Sequence, residues 1–217
     1  MGRAAELSFY QAEAFHNLAH AYEGLGRFAE AAAAADSFAS NADRIRQNSL
    51  RWSSRHDAGT IRRAAGWHAA ANRDFETMVR IVDELGNDGH SFAAEYFERR
   101  GELERALHYY RIGAALPNPD LRNFAALARV YEALGVPDSA EWAARRHDAE
   151  PERWPILAQP VLPDVLAKRG RVREAIDAAN AWAKHTLQAR NVEGAAIAHV
   201  RLAELRLSAG EPTLGLD

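Results

Sequence analysis

His16 and His20 stand four residues apart, so on a helix both imidazoles share one face and could reach a common metal ion. No HExxH motif surrounds them and no third ligand lies near them in sequence. The pair therefore reads as two polar groups lining a helix face. Arg44, Arg46, Arg51, Arg55, Arg62 and Arg63 fall within 20 residues, beside Trp52 and Trp67 and opposed by Asp43 and Asp57. Arginine mixed with aromatics is a composition that grips acidic partners or phosphates. Its rival reading is a solvated helix face next to a loop. The five tryptophans, Trp52, Trp67, Trp142, Trp154 and Trp182, are candidate interface anchors, since tryptophan is enriched where binding energy concentrates.

Catalytic signatures are missing from the sequence. The carboxylates of "FERRGELERA" and "HDAEPERW" do not form a pair in an apolar stretch. There is no phosphate-cradling glycine loop, no nucleophile elbow and no dinucleotide fingerprint. The absence of cysteine removes disulfides and thiolate metal sites and fits a reducing compartment. The expectation is a protein without cofactor or metal, and not an enzyme. Net charge is −3, from 27 basic and 30 acidic residues, which argues against a dedicated nucleic-acid binder. The first ten residues carry no secretory pattern, and no apolar run has the length of a membrane helix. A cytoplasmic location, away from membranes, is expected.

The elements that must position these residues are helices. Alanine is frequent while valine, isoleucine and threonine are sparse, and alanine costs a helix no side-chain entropy whereas β-branched residues favour strands. Glycines punctuate the chain at Gly26, Gly101, Gly135, Gly170 and Gly210, the last four separated by 34, 35 and 40 residues. A near-constant period of this size marks stacked helix pairs. Each glycine ends one helix in a left-handed turn, and the short connection makes the next helix antiparallel. Ala31, Ala106, Ala140 and Ala175 each follow a glycine by five residues, placing a small side chain where two helices approach.

The copies resemble the tetratricopeptide repeat, whose pattern is W-x2-L-G-x2-Y followed by alanine, an aromatic and proline. Phe15, Leu18, Ala19, Tyr22, Gly26, Phe28, Ala31 and Phe38 carry it, as do Phe97, Gly101, Leu103, Ala106 and Tyr110, closed by Pro117 and Pro119. Phe124, Leu127, Ala128, Tyr131, Gly135 and Ala140, closed by Pro151, carry it again. Fainter copies run through Ala65, Gly66, Ala69, Phe75 and Met78, with Arg73 where a turn glycine is expected, and through Leu162, Leu166, Gly170, Val172, Ala175 and Trp182. A last partial copy holds Leu202, Ala203 and Gly210. Trp182 falls at a packing position of its copy. The resemblance implies an all-α, right-handed α-solenoid of antiparallel helix pairs spanning 1–217 as one domain. Its repeats cover about 12–45, 59–86, 87–120, 121–155, 156–190 and a partial 196–217.

Two stretches depart from the pattern. Residues 43–58 make the first spacing too long and read as an irregular insert, either an extended helix or a loop. Residues 151–163 hold four prolines, which a regular helix excludes, so the first helix of the Gly170 copy is short and begins near Pro163.

A row of first helices forms a concave groove that takes a helix or extended segment of another protein. Its expected lining is His16, His20, Arg63, Trp67, Glu95, Arg99, Arg129 and Asp164, with Trp67 foremost. Some members of the family hold a peptide's terminal carboxylate with lysine and asparagines at first-helix positions. Here those positions are His16 and His20, Ser91 and Glu95, and Ala125 and Arg129, so that clamp is not expected. The resemblance implies a protein-interaction scaffold or adaptor for a partner protein or peptide. The rival is a sensor module of a larger bacterial regulator, binding a small ligand or signalling peptide. The sequence shows no polar helix closing its last copy, so self-association through that copy is a further expectation.

Overall fold

The computed structural model describes residues 3–86, 88–149, 160–188 and 190–210. Among them every regular element is a helix: α1 (Arg3–Gly24), α2 (Phe28–Ile45), α3 (Asn48–Ala64), α4 (His68–Leu85), α5 (His90–Arg99), α6 (Leu103–Ala114), α7 (Arg122–Ala133), α8 (Pro137–Asp148), α9 (Leu162–Lys168), α10 (Val172–Gln188) and α11 (Val192–Ser208). No helix among the described residues is long and apolar enough to cross a membrane.

The turns explain the pairing. After α3 the chain passes through Gly66 at φ +78°, where the Gly66 N–H bonds the Arg63 carbonyl and the Trp67 N–H bonds the Arg62 carbonyl. This reciprocal cap satisfies carbonyls that the helix end would leave bare, and it demands the left-handed conformation that glycine adopts without strain. The same two bonds recur at Gly26, Gly101, Gly135 and Gly170. Arg190 makes them between α10 and α11 at φ +57°. Five residues past each of the five glycines lies a buried alanine. Ala31, Ala106, Ala140 and Ala175 are wholly buried and Ala71 is 1% exposed.

Gly66 and Ala71 therefore correct the reading of the second copy. Its turn glycine is Gly66, and Arg73 lies within α4. Residues 43–58 are neither an insert nor a loop. They hold the end of α2, a short turn through Arg46 at φ +52°, and the first part of α3. The first helix of this pair begins at Asn48, well before the expected 59. The expected short helix is present as α9, with Pro163 in its first turn. The Asp148 carboxylate accepts the backbone N–H groups of Val161 (3.1 Å) and Leu162 (3.0 Å) there. Pro151 and Trp154 lie outside the described residues.

The helices pack into two compact units, residues 1–102 and 103–217. In the first, α1 packs on α2, α2 on α3 and α3 on α4, with α5 against α4. Ala19, Ala31, Ala35, Ala58 and Ile61 make an almost entirely small-residue core, which lets helix axes come close. In the second, α6 packs on α7, α7 on α8, α8 on α9, α9 on α10 and α10 on α11. Leu166, Ala175, Ile176, Ala179, Leu202 and Leu205 form one core cluster, and Trp182, Ala183 and Ala198 another. Trp182 is core, as its repeat position implies.

Candidate binding face

In residues 1–102 the first helices α1, α3 and α5 are bridged side to side by polar and aromatic groups. His16 Nδ1 lies 2.9 Å from Asp57 Oδ2, and His20 Nε2 lies 3.7 Å from the same oxygen. His20 Nδ1 meets Glu23 Oε2 at 3.1 Å. The other Asp57 oxygen faces His56 Nδ1 at 3.3 Å. Burial alone would raise the Asp57 carboxyl. The His56 hydrogen bond and the charges of His16, His56 and His20 outweigh it and hold the group below its ordinary range. From α3 toward α5, the His56 ring packs on Phe92 at 4.8 Å and Trp52 tilts over Phe92 at 4.8 Å. Trp52 also donates its indole N–H to Asp88 at 3.1 Å.

Arg63 ends α3 with its guanidinium 5.2 Å from the Phe75 ring centroid. Burial lowers its pKa, the nearby Arg99 charge adds to that, and Glu95 acts in the opposite direction. On α5, Arg99 lies 3.6 Å from Glu95. His16, His20, Arg63, Glu95 and Arg99 thus all stand on first helices, as expected, and so do Arg129 on α7 and Asp164 on α9.

Trp67 does not. It is the residue after the turn glycine, between α3 and α4, and is 44% exposed. Its backbone N–H is committed to the cap, so it belongs to the turn and not to a first helix. The misplacement follows from the register of the second copy, which puts position 67 seven residues too early in a first helix.

The arginine run is largely ion-paired within the unit. Arg62 holds Asp36 at 2.7 Å and Asp74 at 2.5 Å, Arg55 holds Asp43 at 2.8 Å, and Arg51 lies 3.5 Å from Asp43. Arg44 bonds Asn41 and Gln11. The solvated-face reading describes these residues better than an open anion grip. Arg46, Arg51, Arg55 and Arg80, with Asp43 and Glu84, still line a cavity of about 570 Å³ where α2, α3 and α4 meet. Trp142 lies on α8, half exposed, with its edge toward Phe124.

In residues 103–217 the first-helix row is bridged by ion pairs. Lys168 of α9 meets Glu132 of α7 at 2.6 Å, and Arg201 of α11 meets Asp164 of α9 at 2.5 Å. Arg129, Glu132, Lys168 and Arg169 rim a cavity of about 510 Å³ floored by Ala133, Ala140 and Val165. On α11, Val192, Val200 and Leu207 are exposed.

No protein-family model matches the chain, and neither does any curated protein. Solved structures do. A tetratricopeptide repeat protein from Parabacteroides merdae superposes with a TM-score of 0.61 at 15% identity, over 93% of this chain and 75% of that one. A Podosopora anserina protein, described as a kinesin light chain with nearly identical TPR-like repeats, gives 0.53 at 16% identity over 98% and 100%. MamA protein gives 0.51 at 16% identity over 95% and 98%. With the capped turns, the buried alanines and the paired helices on the page, these likenesses define the architecture: the chain has the all-α, tetratricopeptide-repeat-like fold.

Proposed function

We propose that the chain is a protein-interaction scaffold that binds without transforming its partner, holding a peptide or helix of another protein on the first-helix face of residues 1–102. The observation that carries this reading is the Arg63 guanidinium over the Phe75 ring at 5.2 Å, with Arg99 near enough to repel it and Arg99's own partner Glu95 at 3.6 Å. Two guanidiniums near one another are a standing demand for a further carboxylate, and Arg presents a planar fork suited to one. Among the described residues no carboxylate lies within ion-pair distance of Arg63. His20, 43% exposed, and His56, 25% exposed with the Phe92 ring beside it, extend the same face. The partner segment is therefore acidic, with an apolar anchor.

The test is selection of peptides from a displayed random library on wild type, followed by titration against Arg63→Ala/Arg99→Ala. The selected peptides are expected to be acidic and to bind the double variant at least about tenfold more weakly, the loss of a contact near 1.4 kcal/mol. Circular dichroism checks that the variant keeps its helices. Equal affinity for both proteins rules this face out, and a wild type that selects no peptide counts against the scaffold itself.

A further inference from the structure

We propose that His16, His20 and Asp57 form a binding site for a divalent transition-metal ion of the zinc class, joining α1 to α3. Each residue offers one ligand atom, and the three atoms lie within 4.8 Å of one another. The one-turn spacing on α1 sets the two imidazoles together, with ring centroids 4.6 Å apart. Asp57 comes to them from a helix 41 residues further along the chain.

Two of the three separations suit one ion, and rotation of the exposed imidazoles closes the third, which lies within 4.8 Å. Tetrahedral zinc with bonds of 2.0–2.1 Å sets neighbouring ligand atoms about 3.3 Å apart. The two separations to Asp57 Oδ2, 2.9 Å from His16 and 3.7 Å from His20, bracket that value. The surrounding bonds resemble those that accompany metal-ligating histidines, which hand their second ring nitrogen to a carboxylate. His20 Nδ1 meets Glu23 at 3.1 Å, leaving Nε2 to face Asp57. In the tautomer that donates Nδ1–H to Glu23, the Nε2 lone pair points at a carboxylate oxygen. Two acceptors then face one another across 3.7 Å, and a cation between them resolves the conflict. Asp57 divides its oxygens in the same sense, Oδ1 to His56 and Oδ2 to the pair.

Imidazole nitrogen with a single carboxylate selects zinc, nickel or copper over magnesium and calcium, which require oxygen shells. The His16 ring lies 5.3 Å from that of Phe38, which is 2% exposed, giving the site an apolar floor. His16 and His20 keep 41% and 43% of their side chains exposed, so an ion enters from solvent and its fourth position stays open to water or an outside ligand.

The rival is a proton: a histidinium on His20 would also satisfy Asp57. Zinc titration of the untagged full chain by calorimetry near pH 7.5 separates the two. The expected result is one zinc per chain, a raised melting temperature, and cobalt taking the site with a tetrahedral visible spectrum. Affinity falls at least about 100-fold in His16→Ala/His20→Ala and about tenfold or more in Glu23→Gln, while His68→Ala binds as wild type. Wild type that takes up no zinc overturns the site, and so does uptake that survives the double-histidine variant. Circular dichroism without metal shows that the variants are folded before zinc is added.

Discussion

Residues 1–102 and 103–217 build their helix pairs with the same turn and the same buried alanine, yet they tie their first helices together with different chemistry. In the first unit the ties are imidazole and ring contacts: His16 and His20 on Asp57, His56 and Trp52 on Phe92. In the second they are ion pairs, Lys168 with Glu132 and Arg201 with Asp164. Pair geometry therefore rests on glycine and alanine, and the ties between pairs are left free to differ. Imidazoles change state with protons and metals near neutral pH, whereas exposed ion pairs answer mainly to salt.

The largest expected effect tests the ring core that lies behind the aromatic tie of the first unit. Phe75 is 4% exposed, stacks on Tyr96 at 5.3 Å and lies under Arg63. Phe75→Ala should cost about 3–5 kcal/mol in urea denaturation. Phe124 of the second unit is as buried, at 3%, but its ring neighbour Trp142 is half exposed. Phe124→Ala should fall at the lower end of that range, because an open neighbour can collapse into the space. A larger loss at Phe124 would reverse the contrast.

A helical glycine in each unit sharpens it. A Cβ on Gly59 would lie 2.8–2.9 Å from three atoms of the Phe75 ring, a rigid plane stacked on Tyr96. A Cβ on Gly113 would lie 2.8 Å from the amide nitrogen of Asn123, the far end of a side chain. Alanine gains about 1 kcal/mol in helix propensity at either site. At Gly59 overpacking of about 1–3 kcal/mol outweighs that gain, while at Gly113 a rotation of the amide keeps the cost below it. Gly59→Ala should lower the melting temperature and Gly113→Ala should leave it level or raise it. Equal losses would mean that Asn123 is as fixed as Phe75.

These contrasts also separate what the sequence displays from what it hides. The turn glycines and the alanines five residues on are visible because they are local, one helix end and one turn of the next. In the second copy Phe75 and Met78 imitate repeat anchors, while the true ones are Gly66 and Ala71. Those two, spaced five apart as in the copies around Gly26, Gly101, Gly135 and Gly170, put Asn48–Ala64 in the first helix and Trp67 in the turn. The placement of Arg63, Glu95 and Arg99 on first helices survives the error because helix type there depends only on the nearest glycine. Asp57 as a companion of His16 and His20 was beyond reach. It lies 41 residues away, in the stretch read as an insert, and which α3 side chain meets α1 is set by how two smooth alanine surfaces slide into register.

The ion-paired unit has its own test in Glu141. This carboxylate is 13% exposed and accepts Arg145 at 2.7 Å and Arg169 and Arg171 at 2.5 Å each. Its pKa is lowered, first by the Arg145 hydrogen bond, against an opposing effect of burial, and then by the Arg171, Arg145 and Arg169 charges. A carboxyl whose folded pKa is depressed stabilises the fold above its unfolded value, about 4.3, and loses that contribution as pH falls through the folded value. Glu141→Gln should therefore cost about 1 kcal/mol at neutral pH, less in molar salt, and nothing once the carboxyl is protonated. A cost unchanged in strong acid would assign the effect to shape and not to charge.

The smallest effect asks whether the two units tolerate the same irregularity. Arg46 ends α2 at φ +52° and Arg190 precedes α11 at φ +57°, both exposed and both in the left-handed region where other turns place glycine. A side chain there costs about 1–2 kcal/mol relative to the right-handed helix, and glycine removes that strain while giving the unfolded chain more freedom, worth roughly 0.5–1 kcal/mol. Arg46→Gly and Arg190→Gly should each stabilise by about 0.5 kcal/mol net. Arg46 also lines the arginine cavity, where its removal relieves like-charge repulsion with Arg51, Arg55 and Arg80. The gain at position 46 should exceed that at position 190 in low salt and match it in high salt. A loss at position 46 would mean that Arg46 is held there by a favourable contact, and that the cavity binds its own arginines more tightly than the backbone strain resists.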